Sequence, residues 1–446
     1  MAQVFHVSEV PERLRPRFAA QPDHLTICFW MWALFNSVSD EEYPEFCDRK
    51  LREIKDRGFN CIRMDDGAGL FCDTCSVPRG PIRWHPQAGP YQVGRQNPGV
   101  GSGLIPKRLL TLCRAAEKYG IRLIFSSWYY LHTNWHLEEP INAELFEGLP
   151  TMADKIRYFT EEHDRVLRLL RENGLLHVVA FVELFNEFDC MNYTITGIKS
   201  TPEQIAEWRS LLEAAYGRLK RNHPELLFAY DSFTPRMRKE LIPRNVDVLN
   251  FHHYYVWFPL YGWLDKSVSG EIPKEEDFAP EITHFLRKDR PHCEDIIRER
   301  SRYTKIRNGL EWIPRMVIYN SLDPEKIPEL EQRIAERFEA GYADILLRLE
   351  EGVAGVIKIR DEVLPGVPLV MGEGTSCCTS EKLLFEEHSD KFWQLLEKQA
   401  AILRERGLWG TVVRTGSSPV DVSWDMRADS YRKVNRIFLN GEPIGQ

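Results

Sequence analysis

Two glutamates close long apolar runs of this 446-residue sequence. Glu187 ends LLHVVAFVELFNE (175–187), and Glu373 lies in VPLVMGEG (367–374). Two carboxyl groups that flank one bond can hydrolyse a glycoside, because one protonates the leaving oxygen while the other attacks the anomeric carbon or activates a water. Either glutamate alone is equally compatible with a cap on a following helix. Their joint placement at the ends of two apolar runs favours a catalytic pair.

The elements that must position this pair follow a repeated pattern of apolar run, turn and amphipathic helix. The apolar runs cover 25–35, 59–65, 121–130, 175–187, 226–233, 246–257, 367–374 and 408–416. Near-continuous apolar strands are typical of a sheet that is buried on both faces. Alternating strands and helices predict an α/β fold with a parallel sheet. The count of eight predicts a (β/α)₈ TIM barrel, whose active site lies at the carboxyl ends of the strands.

Two connections are longer than a simple crossover. Residues 66–105 follow strand two, and residues 258–345 follow strand six. Long connections of this kind are usually functional loops or small inserted subdomains. The sequence therefore predicts one catalytic barrel over residues 1–446, with 258–345 forming an inserted subdomain or lid within it.

On these residues the sequence resembles clan A of the glycoside hydrolases, and most closely the family 5, cellulase-like group. The residues that carry the resemblance are Arg63, Asn186, Glu187, His253, Tyr255 and Glu373. The resemblance implies a retaining hydrolysis of a β-linked glycoside or short oligosaccharide, with Glu187 as acid/base and Glu373 as nucleophile. It also implies that Asn186 binds the sugar 2-hydroxyl, a contact that strengthens in the transition state.

Arg63 lies in NCIRMD on the second strand. If that strand brings its guanidinium across the barrel mouth, a charge-assisted hydrogen bond would hold Glu373 ionised. The alternative is a salt bridge to Asp65 or Asp66 that only orders the following loop.

Residues 252–255 read His-His-Tyr-Tyr. The strand period of two places His253 and Tyr255 on one side and His252 and Tyr254 on the other. The family's His-x-Tyr pattern selects His253 and Tyr255 as the pair that faces the substrate, and a slip of one residue would reverse this choice.

Other candidate substrate contacts are less sharply defined. Trp32 and Trp128 lie near strand ends, where they could stack on a sugar face or belong to the core. The family usually has a platform tryptophan near the end of the last strand, where this sequence has Arg414 in TVVRTGSS. The positive charge of Arg414 at this position favours contact with an acidic or unusual sugar.

Two cysteine pairs lie in loops on the predicted catalytic face. Cys72 and Cys75 form one Cys-x-x-Cys, whereas Cys377 and Cys378 are adjacent. Structural zinc sites usually have two pairs spaced by two to four residues, and adjacent cysteines fit that arrangement poorly. We expect no metal and no cofactor, and metal binding by these pairs stays open at this point.

The resemblance implies a carbohydrate as the partner, and composition argues against two other classes. The net charge is −8 and the isoelectric point is about 6.0, which argues against nucleic acid or an anionic membrane as partner. The N-terminal residues lack the apolar core of a signal peptide, and scattered cysteines indicate reduced thiols, so a cytoplasmic location is expected. A chain trimmed of a leader would look the same, and the oligomeric state is not defined by the sequence.

Two rival functions fit the same barrel. One is a carbohydrate-binding barrel without hydrolytic activity, which a panel of aryl β-glycosides would reveal. The other is a metal-dependent sugar isomerase or epimerase, which would need more carboxylates and histidines at the strand ends and would lose activity to a chelator.

Overall fold

The computed structural model describes most of the chain. The described residues are 4–30, 34–35, 38–64, 82–83, 102–103, 105–126, 149–189, 200–261, 280–290, 318, 321–376 and 382–445. Several predicted candidates lie outside them: Trp32, Trp128, Cys72, Cys75, Cys377 and Cys378.

Eight parallel strands close into a barrel, which confirms the predicted TIM-barrel fold. The strands are β1 (Leu25–Phe29), β2 (Cys61–Met64), β3 (Arg122–Phe125), β4 (Val179–Glu183), β5 (Phe228–Phe233), β6 (Val248–His253), β7 (Leu369–Gly374) and β8 (Gly410–Val412). Each strand pairs with the next one in the sequence, and β8 closes the barrel against β1. Almost every strand residue is buried, as the continuous apolar runs require.

Within the described residues, seven longer helices surround the barrel. They are α1 (Tyr43–Asp56), α2 (Ile105–Tyr119), α3 (Met152–Glu172), α4 (Pro202–Asn222), α5 (Ile327–Val363), α6 (Asp390–Glu405) and α7 (Ala428–Asn440). Capping boxes start α3 and α4, with Thr151 and Thr201 accepting from the backbone amides three residues on. Gly58 and Gly120 follow α1 and α2 with φ of 82° and 63°, so both end their helices in the left-handed conformation that glycine favours.

The crossover between β5 and β6 differs from the others. Its residues, 234–247, are all described and contain one short 3₁₀ turn, Thr234–Arg236, but no α-helix. Pro235 and Pro243 interrupt this short segment, and proline in a helix interior removes a hydrogen bond and clashes with the preceding turn. The fifth crossover therefore leaves this side of the barrel without its own helix.

The long connection after β6 ends in the longest helix of the molecule. Helix α5 begins at Ile327 and returns the chain to β7, so residues 327–345 of the predicted insert are continuous with a barrel crossover. Phe338 of α5 packs against Phe385, with ring centroids 5.4 Å apart. His284 upstream contacts Glu329 at 3.0 Å. The role of 258–345 as a subdomain or lid stays a prediction.

Within the long connection after β2, Ile82–Arg83 pairs antiparallel with Ser102–Gly103.

Among the described helices, none combines the length and the apolarity that crossing a lipid bilayer requires.

Candidate active site

Arg63 lies at the centre of the site, fully buried inside the barrel. It points inward from β2, and its guanidinium donates to Glu373, as expected from the sequence. The same group also bonds two carboxylates from other strands, Glu183 of β4 at 3.0 Å and Asp231 of β5 at 3.0 Å. Three carboxylates from three strands thus surround one guanidinium, which satisfies buried charges that would otherwise be costly.

Asn186 and Ser126 also contact Arg63. The side-chain oxygen of Asn186 accepts from the guanidinium, and Ser126 lies 3.2 Å from it. Asn186 is completely buried. The predicted contact of Asn186 with a sugar hydroxyl remains untested.

The histidine–tyrosine pair beside the glutamates is His252 and Tyr254. His252 Nδ1 lies 2.6 Å from Glu187 Oε1, and the Tyr254 hydroxyl donates to Glu373 Oε2. The choice of His253 and Tyr255 is therefore wrong, because the register of β6 turns those side chains away from the barrel interior.

His253 and Tyr255 have clear partners on the outer side. His253 Nε2 lies 2.9 Å from the Arg348 carbonyl oxygen of α5. A Cβ on Gly352 would lie 2.2 Å from the same ring nitrogen, so the glycine opens a notch in α5 for the imidazole. The Tyr255 hydroxyl donates to Gln399 of α6 at 2.7 Å. Both side chains therefore fix helices to the barrel.

A bulge in β7 brings Glu373 level with His252. Phe251 pairs with Met371 but His252 pairs with Glu373, which leaves Gly372 without a partner on β6. A Cβ on Gly372 would lie 2.2 Å from Asn250 Nδ2. Residue 372 thus faces the interior together with its neighbour, and only glycine leaves room there for the Asn250 side chain.

The two predicted catalytic glutamates approach each other across the barrel mouth. One carboxylate oxygen of Glu187, one of Glu373 and a ring nitrogen of His252 all lie within 4.8 Å of one another. Glu187 keeps 13% of its side chain exposed, whereas Glu373 keeps 1%. A ligand therefore reaches Glu187 most easily, with Glu373 deeper below it.

Backbone strain is concentrated beside these glutamates. Among the described non-glycine residues, positive φ values occur at Glu187 (46°) and Thr375 (70°). Thr375 is β-branched, so this conformation is costly and must be held by its surroundings. Its carbonyl accepts from the Val256 and Trp257 amides at 2.9 and 3.1 Å. The segments that follow β4 and β7 are thus fixed in unusual conformations at the site.

Several ionisable groups of the site have shifted pKa values. Burial raises the pKa of Glu187, although the hydrogen bond and charge of His252 oppose the rise. Burial raises the pKa of Glu183 to about 7 against the lowering effect of Arg63. Burial also lowers the pKa of His252, but the charges of Asp231 and Glu373 outweigh it, and the net pKa lies well above the usual value. The carboxyls of Glu183 and Glu187 therefore bind their protons more tightly than free carboxyls do.

Glu187, His252 and Glu373 each offer one atom that could bind a metal ion, so the three together are a possible cation site. A metal requires a deprotonated imidazole nitrogen, whereas the neighbouring carboxylates raise the pKa of His252. The 2.6 Å contact between His252 Nδ1 and Glu187 is a hydrogen-bond distance. The arrangement fits proton sharing better than metal binding.

Arg414 lies in a buried ion-pair cluster, a position that does not support the contact with an acidic sugar expected from the sequence. Its guanidinium is buried and donates to Glu386 at 2.7 Å, Glu387 at 3.0 Å and Asp421 at 2.6 Å. Burial lowers the pKa of Arg414, but Asp421, Tyr431 and Glu386 outweigh it and raise the pKa. The residue joins the segments that follow β7 and β8, and its charge is already neutralised.

Five polar residues of the site were not chosen as candidate site residues from the sequence: Glu183, Asp231, Asn250, His252 and Tyr254. A signal for the first three exists in the sequence, because each interrupts an apolar run. A polar side chain within a strand buried on both faces must find a buried partner. Polar interruptions of the predicted strands therefore point into the barrel.

A closed parallel barrel with two glutamates at the ends of β4 and β7 is the arrangement of a glycoside-hydrolase-type barrel. Residues 25–272 match the family described as sugar-binding cellulase-like. This match covers more than half of the chain, which therefore belongs to that cellulase-like family. A comparison with curated proteins gave no match.

Several solved structures are similar to this chain. A Parabacteroides distasonis protein described as a glycoside hydrolase is similar with a TM-score of 0.61 at 12% identity, over 94% of each chain. An exo-β-1,4-mannosidase from Opitutaceae bacterium strain TAV5 gives a TM-score of 0.48 at 15% identity, over 98% of this chain and 63% of that one. The GH5_18 protein of Streptomyces cattleya gives 0.47 at 10% identity, over 95% and 83%. The family match supports a glycosidase, and the first of these neighbours shares the fold.

Proposed function

We propose that this protein is a retaining β-glycosidase that acts by double displacement. The observation that supports this most strongly is the short distance between Glu187 and Glu373. One carboxylate oxygen of Glu187 lies within 4.8 Å of one carboxylate oxygen of Glu373. Retaining glycosidases place their two carboxyl groups about 5 Å apart, whereas inverting enzymes need roughly 6.5–9.5 Å to admit a water. The spacing in this protein is close to that of the retaining class and supports a double displacement.

Glu373 is the proposed nucleophile. Arg63 places a positive charge against one of its oxygens, and Tyr254 donates to the other. These two donors orient the carboxylate toward the mouth of the barrel. In the first step a Glu373 oxygen bonds to the anomeric carbon as the glycosidic C–O bond breaks.

Glu187 is the proposed acid/base. Burial raises its pKa, as a general acid that works near neutral pH requires. Its proton passes to the leaving oxygen in the first step. In the second step Glu187 takes a proton from water while the hydroxide bonds to the anomeric carbon, and Glu373 leaves as the carboxylate.

The proposed substrate is a β-linked glycoside or short oligosaccharide. The long connections 66–105 and 258–345 follow β2 and β6, and both leave the carboxyl ends of their strands, where barrel active sites form. Such connections favour a pocket over an open groove for a polymer.

A covalent trap tests the proposal. The protein is incubated with activated 2-deoxy-2-fluoro β-glycosides of several sugar configurations, and the labelled peptide is identified by mass spectrometry. We expect one sugar mass on the peptide that contains Glu373, and no label on Glu373→Gln. A label on another residue, or inverted product with no trapped species, would rule out the role of Glu373 as nucleophile.

A panel of aryl β-glycosides separates hydrolysis from binding alone. We expect turnover of at least one member, unaffected by a chelator. Folded protein that binds sugar but cleaves no member would support the non-catalytic barrel, and loss of activity with the chelator would support metal-dependent chemistry.

A further inference from the structure

We propose that Asp231 is a positioning residue of this site: its carboxylate, anchored by Arg63, holds the His252 imidazole charged and turned with Nδ1 toward Glu187. The inference deepens the proposed glycosidase activity and rests on it for its kinetic consequences. Its structural statement, that Asp231 controls the proton on His252, stands independently of any substrate.

Each carboxylate oxygen of Asp231 lies next to a different cationic side chain, Arg63 or His252. Oδ2 accepts from Arg63 at 3.0 Å, and Oδ1 lies 3.1 Å from His252 Nε2. Asp231 and His252 are both fully buried. The Arg63 contact fixes the carboxylate, which in turn fixes the distance to the imidazole.

Each nitrogen of the His252 ring has its own carboxylate. Nε2 faces Asp231 at 3.1 Å, whereas Nδ1 faces Glu187 at 2.6 Å and Glu373 at 3.5 Å. Nδ1 is at hydrogen-bond distance from one carboxylate and Nε2 is at ion-pair distance from another, so both carboxylates favour the doubly protonated, charged ring. Asp231 is thus connected through one ring to the proposed acid/base and lies close to the proposed nucleophile.

The number of protons that the buried cluster binds depends on the balance of its charges. The titratable groups that face the ring come from five strands or the segments that follow them: Arg63, Glu183, Glu187, Asp231, Tyr254 and Glu373. Four of these are carboxyls, against two cations, one on Arg63 and one on His252. The protons bound by the cluster therefore depend on every negative charge in it, including that of Asp231.

The orientation of His252 has a consequence for Glu187. A charged imidazole donates from Nδ1 to Glu187 Oε1, so the acid proton must lie on Oε2, the other oxygen. That placement presents the proton to a ligand rather than to the protein interior. Without Asp231 the ring would lose its second proton, and Nδ1 could then accept the Glu187 proton instead.

Asp231→Asn removes one negative charge with little change in shape. Because a negative neighbour favours the protonated form of nearby groups, its loss lowers the apparent pKa of the whole cluster. We expect both limbs of the pH profile of kcat/KM to move toward acid by about one pH unit, with kcat at the new optimum lower by about tenfold or more.

Asp247→Asn is the matched control. Asp247 directly precedes β6, is buried, and pairs with Arg17 at 2.9 Å and Lys220 at 2.6 Å. The variant also removes one buried carboxylate charge from a network of ion pairs, but at the amino end of the strand. Its pH profile should match that of the unmodified protein.

The proton on His252 is read directly by ring-nitrogen NMR of protein labelled with ¹⁵N-histidine, with His252 assigned by comparison with His252→Gln. We expect a doubly protonated ring at pH 7 in the unmodified protein and in Asp247→Asn, and a neutral ring in Asp231→Asn. A neutral His252 in the unmodified protein would overturn the proposal even if Asp231→Asn failed to fold. A charged ring in Asp231→Asn, with an unshifted pH profile, would show that Asp231 is merely structural.

If the unmodified protein cleaves no glycoside, the proposed function fails, but the NMR comparison still decides whether Asp231 controls His252. If turnover is present and the NMR states are the same in all variants, the inference about Asp231 fails and the glycosidase proposal is untouched.

Discussion

Arg63 and Arg414 have nearly the same surroundings but different consequences. Each is a buried guanidinium that bonds three carboxylates. The partners of Arg414 expose at most 4% of their side chains. In the Arg63 cluster, Glu373 lies against His252 and Glu187, and Glu187 keeps 13% of its side chain exposed. A buried arginine–carboxylate cluster becomes a candidate active site when a chain of contacts leads from it to an accessible carboxyl.

The origin of the partners also differs. The anions around Arg63 come from β4, β5 and β7, so the cluster exists only when the barrel is closed. The anions around Arg414 come from the short helix Phe385–His388 and from Asp421, both near the exits of β7 and β8. The first cluster thus places groups from across the barrel next to one substrate position, and the second joins neighbouring segments.

Substituting each arginine separates the two roles and gives the largest expected effects. Arg63→Lys keeps the charge but loses the planar fork that reaches several acceptors. We expect kcat to fall by roughly 10²–10³-fold, an amount comparable to the loss of one oriented catalytic group. Steady-state kinetics on the best aryl glycoside would measure it.

Arg414→Met is the counterpart, because it leaves buried carboxylates without their cation. Breaking such a cluster costs about 3–5 kcal/mol in the free energy of unfolding. Denaturant unfolding should show this loss, while kcat per folded molecule stays unchanged. A large drop in kcat with unchanged stability would mean that Arg414 acts on the substrate after all.

The two tyrosines after β6 give a smaller, matched contrast. Tyr254→Phe removes the hydroxyl that donates to Glu373, and we expect kcat to fall by about 10–100-fold through the loss of a hydrogen bond to a charged group. Tyr255→Phe removes a hydroxyl bonded to Gln399, which should cost about 1 kcal/mol of stability and leave kcat within about threefold. Equal kinetic effects of the two variants would contradict the side-chain assignment.

Asp189 gives an effect that is visible in stability rather than in activity. Burial raises its pKa to about 7, although Ser232 donates to it at 2.6 Å. A carboxyl whose folded pKa is raised stabilises the fold below its unfolded pKa and loses that contribution as pH rises from about 4 to 7. Each pH unit in this window costs at most about 1.4 kcal/mol.

Asp189→Asn removes this titration. Relative to the unmodified protein, the variant should gain roughly 2–4 kcal/mol in the free energy of unfolding between pH 4 and pH 8. Asp429→Asn, at a side chain that is 97% exposed, should show no such gain. Parallel pH curves for the unmodified protein and Asp189→Asn would refute the shifted pKa.

The barrel and part of the site were predictable from the sequence. The eight apolar runs are local features, so the barrel and the strand-end positions of Glu187 and Glu373 were predictable from them. The bond between Arg63 and Glu373 was predictable because the strand count places β2 and β7 on the same barrel. Asp231 carried a usable signal, since it interrupts an apolar strand.

Other features depend on residues distant in the sequence. His-His-Tyr-Tyr fits either face of β6, and the choice depends on Gly352 in α5, whose missing side chain accommodates His253. The bulge at Gly372 breaks the period of two in β7, so alternation alone misplaces its neighbours. Arg414 looked accessible because its partners Glu386 and Glu387 lie across a crossover.

Azide rescue tests the central claim, the roles of Glu187 and Glu373, most directly. In Glu373→Gly, azide enters the vacated space below the sugar and displaces an activated leaving group, which should give the α-glycosyl azide. In Glu187→Gly, azide attacks the glycosyl-enzyme from the opposite side, which should give the β-glycosyl azide. Product NMR distinguishes the two anomers. The account predicts opposite anomers from the two variants, and the same anomer from both, or the reverse assignment, would contradict it.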